Sequence, residues 1–253
     1  MPIEVRELQV VRHADADTHR EMVSRLPHAR LAGYVLGYTG YVEQTRLTMR
    51  RREVPFAGVP LIISFGPTIR LAGSACAPGW SAYRSFVAGL DDGFTLTEYS
   101  GAQHGLQVNF TPLGAYRFFG VSMGAVAKRV LHLDEVLGAQ ADRIVSQLQD
   151  ARSWGARFAM LDQLIGSRIE SARAPSTGVA WAWRRIQAAG GNFDIGTLTR
   201  ELGCSRKHLI ARFHDEIGLP PKLVARIQRF HRVRRLGVQP ANWRKSRLRC
   251  AWS

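Results

Sequence analysis

Between Gly203 and Gly218 the sequence places Ser205, Arg206, Lys207, His208 and Arg212 within one short run. Cationic and hydroxylic side chains at this density suit ion pairing and hydrogen bonding to an anionic surface. Bond-making chemistry finds little support elsewhere. A metal centre needs clustered His and carboxylate ligands. Here His13, His19, His28, His104 and His132 are scattered and form no HxH pair. His104, beside Gly105, reads as a surface or structural residue. Cys76 has no sequence neighbour that would activate it and reads as a buried or idle thiol. No Gly-rich phosphate loop precedes a helix, and there is no serine elbow. Neither an enzyme nor a cofactor is expected.

The distribution of charge points the same way. The 253-residue chain carries a net charge of +15, with an isoelectric point near 10.9. From Trp181 to Ser253 there are 16 Lys/Arg against 4 Asp/Glu, while residues 1–180 hold 19 against 16. A polyanion partner concentrates charge in this manner, the alternative being an idle solvated tail. Cys76, Cys204 and Cys250 form no close pair, and an odd number argues against a disulfide framework; a reduced cytoplasmic protein is expected. The first residues contain no apolar stretch of secretory type. The most apolar run, Val59 to Phe65, is too short to span a bilayer, so no membrane partner is expected.

The elements that must position the basic run are legible from punctuation. Thr177 to Ala189 reads as a helix with Trp181, Ile186 and Val179 inward, ended by Gly190-Gly191-Asn192. Asp194 caps a short helix, Ile195 to Leu202, with Leu198 and Leu202 on one side. Gly203 follows where a tight interhelical turn needs a left-handed residue. Ser205 caps the next helix, Arg206 to Glu216, with Leu209 and Phe213 inward. Gly218 ends it and Pro220-Pro221 prevents its continuation. This is the layout of a helix-turn-helix reader. Such a helix is slim enough for a major groove, its first turns offer donors to base edges, and its N-terminal dipole favours phosphates.

Upstream, residues 31–110 read as mainly β. Leu31, Tyr34, Val35, Leu36, Tyr38 and Tyr41 lie in a β-prone run, and Val59 to Phe65 reads as a buried strand. Asp91-Asp92-Gly93 is placed as a hairpin turn joining Ser85–Leu90 to Phe94–Tyr99. Leu106, Val108 and Phe110 alternate in a further strand. Thr111-Pro112 starts a short helix reaching Phe119. From Asp134 to Ser171 the period is helical, with one stripe of Ile144, Val145 and Leu148 and another of Phe158, Leu161, Leu164, Ile165 and Ile169; Ser153 lies just before the second, where a cap belongs. Either the β region or a second subunit could cover these stripes. Tyr34, Tyr38 and Phe65 read as core rather than as a ligand pocket. The expected fold class is α+β. A β-rich, barrel- or sandwich-like sensor with C-terminal helices (residues 1–171) leads through a linker (172–178) to an all-α helix-turn-helix domain (179–253).

The string Leu202 to Pro221, LGCSRKHLIARFHDEIGLPP, resembles the first helix-turn-helix of the AraC/XylS family of regulators. Ser205, His208, Leu209, Phe213, Gly218 and Pro221 match that family's pattern in spacing, as does Leu198 to Gly203 for the preceding helix. The resemblance covers Trp181 to Leu236; it is weaker in His104 to Val121, which is similar to a family subgroup with a β-rich sensor. It implies a sequence-specific transcription regulator acting on double-stranded DNA in the cytoplasm and associated with the nucleoid. It also implies a homodimer and a small-molecule effector for the N-terminal domain. By the same resemblance Lys207, Ile210 and Ala211 read bases, while Arg206, His208 and Arg212 contact phosphate or pack. Ala211 stands where the family commonly has Arg, which leaves Lys207 as the strong donor.

The family's linker helix is matched by Lys222 to Leu236, with Leu223, Ile227, Phe230 and Val233 on one face. The family's second helix-turn-helix is not matched after Gly237. The reading VQPANWRKSRLRCAWS has no amphipathic period and no acid. Two endings are consistent with it: an out-of-frame reading beginning near Trp243, or a natural basic tail that grips phosphates. In the first case the chain is a truncated ligand- or partner-binding protein that interferes with intact subunits, instead of a working regulator.

Overall fold

The computed structural model describes residues 7–76 and 78–237. The tail from Val238 onward, and with it both readings of the chain's ending, lies outside the described residues. Among the described residues the strands are β1 (Gln9–Ala14), β2 (Thr18–Arg25), β3 (Val35–Glu53), β4 (Val59–Ser64), β5 (Ile69–Gly73), β6 (Ser81–Tyr83), β7 (Phe86–Ala88), β8 (Thr95–Phe110) and, after two helices, β9 (Val130–His132). The helices are α1 (Pro112–Phe119), α2 (Met123–Val126), α3 (Leu133–Leu137), α4 (Gln140–Asp150), α5 (Trp154–Ser171), α6 (Thr177–Ala188), α7 (Ile195–Glu201), α8 (Arg206–Glu216) and α9 (Pro221–Gly237). The chain is thus an antiparallel sheet region followed by a helical region.

Two long strands organise the sheet. β8 pairs with β3 along one edge, and its other edge is shared by β5 near its start and β4 near its end. That arrangement overturns the expected hairpin at Asp91–Gly93. β7 pairs with β4 and β9, not with β8, because both edges of β8 are already occupied. None of Asp91, Asp92 and Gly93 has a positive φ. Instead the Asp91 carboxylate accepts a hydrogen bond from the Gly93 amide at 3.1 Å.

One face of the sheet receives the helices. Tyr38 of β3 stacks on Phe158 of α5, and its hydroxyl donates to Asp162 at 2.8 Å. Asp162 also pairs with Arg25 of β2, which ties α5 to the sheet at a half-buried site. Phe110 stacks on Phe118 of α1 with Phe119 edge-on to both, contacts worth about 0.5–1.5 kcal/mol each beyond their burial. His104 lies edge-on to Phe65 and Trp154, and burial beside Arg157 holds its imidazole below the usual range. A second, smaller apolar cluster gathers Ile62, Leu71, Tyr83, Phe86 and Val130.

Helix starts follow the sequence closely. Thr111, Ser153, Asp194 and Ser205 each accept a hydrogen bond from a backbone amide in the first turn of α1, α5, α7 and α8. Helix faces follow it less well. In α6 the inward residues are Val179, Ala182, Trp183 and Ile186, and Trp181 is half-buried. In α9 Val224, Ala225 and Ile227 are buried, but Phe230 and Val233 are 44% and 68% exposed, so the expected stripe holds only at its start. α9 lies against Gly191, whose φ of +80° and 2.3 Å approach of a would-be Cβ to the Ala225 carbonyl admit no side chain.

Residues 172–176 carry no helix or strand. The core nevertheless continues across them: one connected set of buried residues runs from Val23 in β2 to Ile227 in α9.

Candidate nucleic-acid interface

α7 and α8 are joined through Gly203, whose φ of +60° is the left-handed conformation such a turn requires. Local chemistry then sets the start of α8. The Ser205 hydroxyl accepts from the His208 amide at 3.1 Å, which stops the helix unravelling toward Gly203. Ahead of it the Asp194 carboxylate accepts from the Thr197 amide at 2.7 Å. That bond, the Gly196 amide and the Arg206 charge hold Asp194 below the usual carboxylate range.

α8 divides cleanly into two sides. Leu209, Phe213 and Glu216 are buried. On the outer side Arg206, Lys207, Ile210, Ala211 and His214 together line a shallow depression of about 770 Å³. Their spacing is that of one continuous helical stripe. Arg206, Lys207, His208, Ala211 and His214 are exposed, and Ile210 is half-buried. Lys207, Ile210 and Ala211, singled out from the sequence, are therefore brought together on one solvent-facing stripe. His208 lies on its flank. Ser205 is the cap and offers its hydroxyl to the backbone.

Arg212 behaves differently from its neighbours. Its guanidinium pairs with Glu216 one turn later at 2.8 Å, and Glu216 is buried. The Glu216 carboxylate also accepts from the Ser176 amide at 2.8 Å and from the Ser176 hydroxyl at 3.1 Å, at the start of α6. Arg212 thus helps to neutralise a buried acid that pins α6 to α8. The residue missed in the sequence is His214. It falls seven positions after Lys207, two helical turns along the same stripe, and this periodicity was the available signal.

The far end of α8 meets the sheet region. A Cβ at Gly124 of α2 would come within 2.3 Å of the His214 ring, and Gly218 lies against the Met123 carbonyl. Asp92 adds an electrostatic anchor, pairing with Lys128 at 2.8 Å and with Arg226 of α9. The residue expected to turn a hairpin instead ties the helical region to the sheet. The first turns of α8 are left facing solvent.

Among the described residues no group of three or more His, Cys, Asp or Glu could hold a metal ion, and no helix is long and apolar enough to cross a membrane. Burial pushes the Cys76 thiol above its ordinary pKa, an environment that does not activate it.

A family model described as a domain of unknown function (DUF6597) matches residues 24–132, from the end of β2 through β9. No curated protein matches the chain. Some solved structures are similar to it over most of its length. CuxR, described as an AraC-like transcriptional activator, is 13% identical, with 87% of this chain and 82% of that chain covered and a TM-score of 0.35. An apo ToxT variant from Vibrio cholerae is 11% identical, with 88% and 83% covered and a TM-score of 0.41. Fe(II) HppE is 9% identical, with 41% and 57% covered and a TM-score of 0.29.

Proposed function

We propose that this chain is a DNA-binding transcription regulator in which α7 and α8 form a helix-turn-helix and α8 enters the major groove of double-stranded DNA. The observation that carries this reading is the outer stripe of α8. Arg206, Lys207, Ile210, Ala211 and His214 face solvent from a capped helix whose opposite side is buried. Lys207 is the donor suited to a base edge, and Ile210 and Ala211 suit the methyl group of thymine. Arg206 and His208, near the positive end of the helix dipole, suit phosphates. The sheet region with its helices, residues 1–171, acts as a sensor for a small-molecule effector and as the dimerisation unit. Residues 172–176 are the linker, two residues shorter than the sequence suggested because Thr177 and Gly178 belong to α6, and the helix-turn-helix domain begins with α6.

Fluorescence anisotropy across a salt series, comparing a fragment from upstream of the gene with a scrambled duplex, tests the reading. Tighter binding to the upstream fragment, with the preference reduced in Lys207→Ala, is the expected result. Base contacts are worth about 1–3 kcal/mol each, so losing Lys207 should cut the preference about tenfold or more. No binding to either duplex would overturn the reading. Equal binding that fades steeply with salt would leave only the electrostatic component, with Kd roughly 10⁻⁴–10⁻⁶ M at physiological salt. Such a result would favour a chain that pairs with intact subunits and silences them.

A further inference from the structure

Among the described residues Lys128 is the one non-glycine position with a positive φ, +56°. Residues that carry side chains rarely adopt this left-handed backbone, and where they do the surrounding contacts hold them there. Two contacts hold Lys128. Its amide donates to the Leu90 carbonyl at 2.9 Å, and its ammonium pairs with Asp92 at 2.8 Å. Asp92 also holds the guanidinium of Arg226. One carboxylate, 14% exposed, therefore gathers two cations from distant parts of the chain. Lys128 follows α2 and Arg226 lies in the second turn of α9, and their side chains are 49% and 59% exposed.

This cluster borders the helix proposed to read DNA. The Ser122 hydroxyl, just ahead of α2, donates to the Asp215 carbonyl at 3.5 Å, and Gly124 lies against His214, the last residue of the outer stripe. Exposed residues thus lead from the stripe, through His214 and Lys128, to Arg226. α9 contains no Asp or Glu of its own to hold that guanidinium. Asp91, next in the loop, is engaged elsewhere, accepting from the Ser74 hydroxyl at 2.6 Å and from the Gly93 amide at 3.1 Å. Arg226 is therefore held in place by a single acid of the sheet region. A half-exposed ion pair of this kind is modest in water, and a phosphate backbone offers a guanidinium the same anionic oxygens in a denser array.

We propose that Asp92 stands in for a DNA phosphate: it holds Arg226 while the chain is free, and a duplex seated on α8 takes Arg226 over, opening the ion pair between α9 and the sheet region. Lys128 makes the exchange possible. It stays beside Asp92 when Arg226 leaves, so that no buried carboxylate is stranded without a counter-charge. DNA binding and the hold of the sheet region on α9 then oppose one another. The inference rests on the DNA-binding role proposed above and adds its regulation, since any change in the sheet region that strengthens the Asp92 pair weakens DNA binding.

Fluorescence anisotropy of the full chain with the upstream and scrambled duplexes tests it, using Asp92→Asn, Arg226→Ala and the double variant. Asp92→Asn should tighten binding to both duplexes about fivefold to tenfold near 0.1 M salt and steepen the plot of log K against log salt by about 0.9, the mark of one further phosphate contact. Arg226→Ala should matter little by itself and should remove the whole gain in the Asp92→Asn background. Equal effects of Arg226→Ala in both backgrounds would overturn the proposal, because charges that act only at a distance are additive. An Asp92→Asn chain with unchanged affinity and slope would overturn it too. Hydrogen exchange of the wild type is the second measurement and decides should Asp92→Asn fail to fold. Duplex should slow exchange in α8 and quicken it in the second turn of α9, whereas slowing in both helices would overturn the exchange of partners. A wild type that binds duplex without this coupling loses the clasp and keeps its regulator role, while no duplex binding by any of the four chains overturns both.

Discussion

Glu53 closes β3 in a largely buried setting, and desolvation pushes its carboxyl up to about 7, against the opposing charges of Arg51, Arg20 and Arg234 and a hydrogen bond with Thr97. An acid whose pKa is raised on folding binds its proton more tightly in the native state. Its stabilising effect is therefore complete below the unfolded value near 4.5 and is lost as pH rises through about 7. Urea unfolding of the wild type should show a loss on the order of 2 kcal/mol between these limits that Glu53→Gln does not show. Parallel pH profiles for the two chains would contradict the assignment. Arg212 is the other residue whose role its position decides. Because it neutralises buried Glu216 while one third exposed, Arg212→Ala should cost about 1–2 kcal/mol of stability, read in the same urea titration, besides any effect on DNA.

At the level of elements, helix ends were legible because capping is a local affair. Thr111, Ser153, Asp194 and Ser205 need only the three residues that follow them, and each makes the bond its position in the sequence implied. Ser205→Ala should accordingly destabilise the helical region by about 1 kcal/mol and fray the first turn of α8. Circular dichroism melts would register the first effect and weaker binding in the anisotropy assay the second, with Ser205→Gly milder in both. Strand partners were not legible. Ser85–Leu90 and Phe94–Tyr99 looked like the arms of a hairpin, yet β7 crosses to β4 and β9, and Asp92 anchors Arg226 of α9. Pairing is settled by which edges other strands leave free, which short-range pattern does not encode.

On the scale of the whole molecule, sheet and helices share one core, and α2 sits against the end of α8. This contact is where a shift in the sheet region would reach α8. Gly124 has no room for a larger residue, since even a Cβ would press on the His214 ring at 2.3 Å and on its carbonyl at 3.1 Å. Gly124→Val should wedge α2 from α8, at a cost of about 1–3 kcal/mol typical of overpacking. Hydrogen exchange would then quicken in α8 and α9 while β3 and β8 keep their protection. Equal protection throughout would show that the contact does not hold the helical region in place.

The sequence by itself determined the local features: the four caps, the left-handed turn at Gly203, the buried run Val59–Ser64, the alternation of Leu106, Val108 and Phe110, and the concentration of positive charge toward the C-terminus. Each rests on interactions among near neighbours or on composition. The tertiary structure alone decided which face each helix buries, as Trp183 and Val224 show against Trp181 and Phe230. It alone brought Asp92 against Lys128 and Arg226 and paired Arg212 with a buried acid. Amphipathic periodicity leaves a helix face uncertain by one residue when apolar side chains flank it on both sides, and register between distant strands follows from long-range packing that no window of sequence contains.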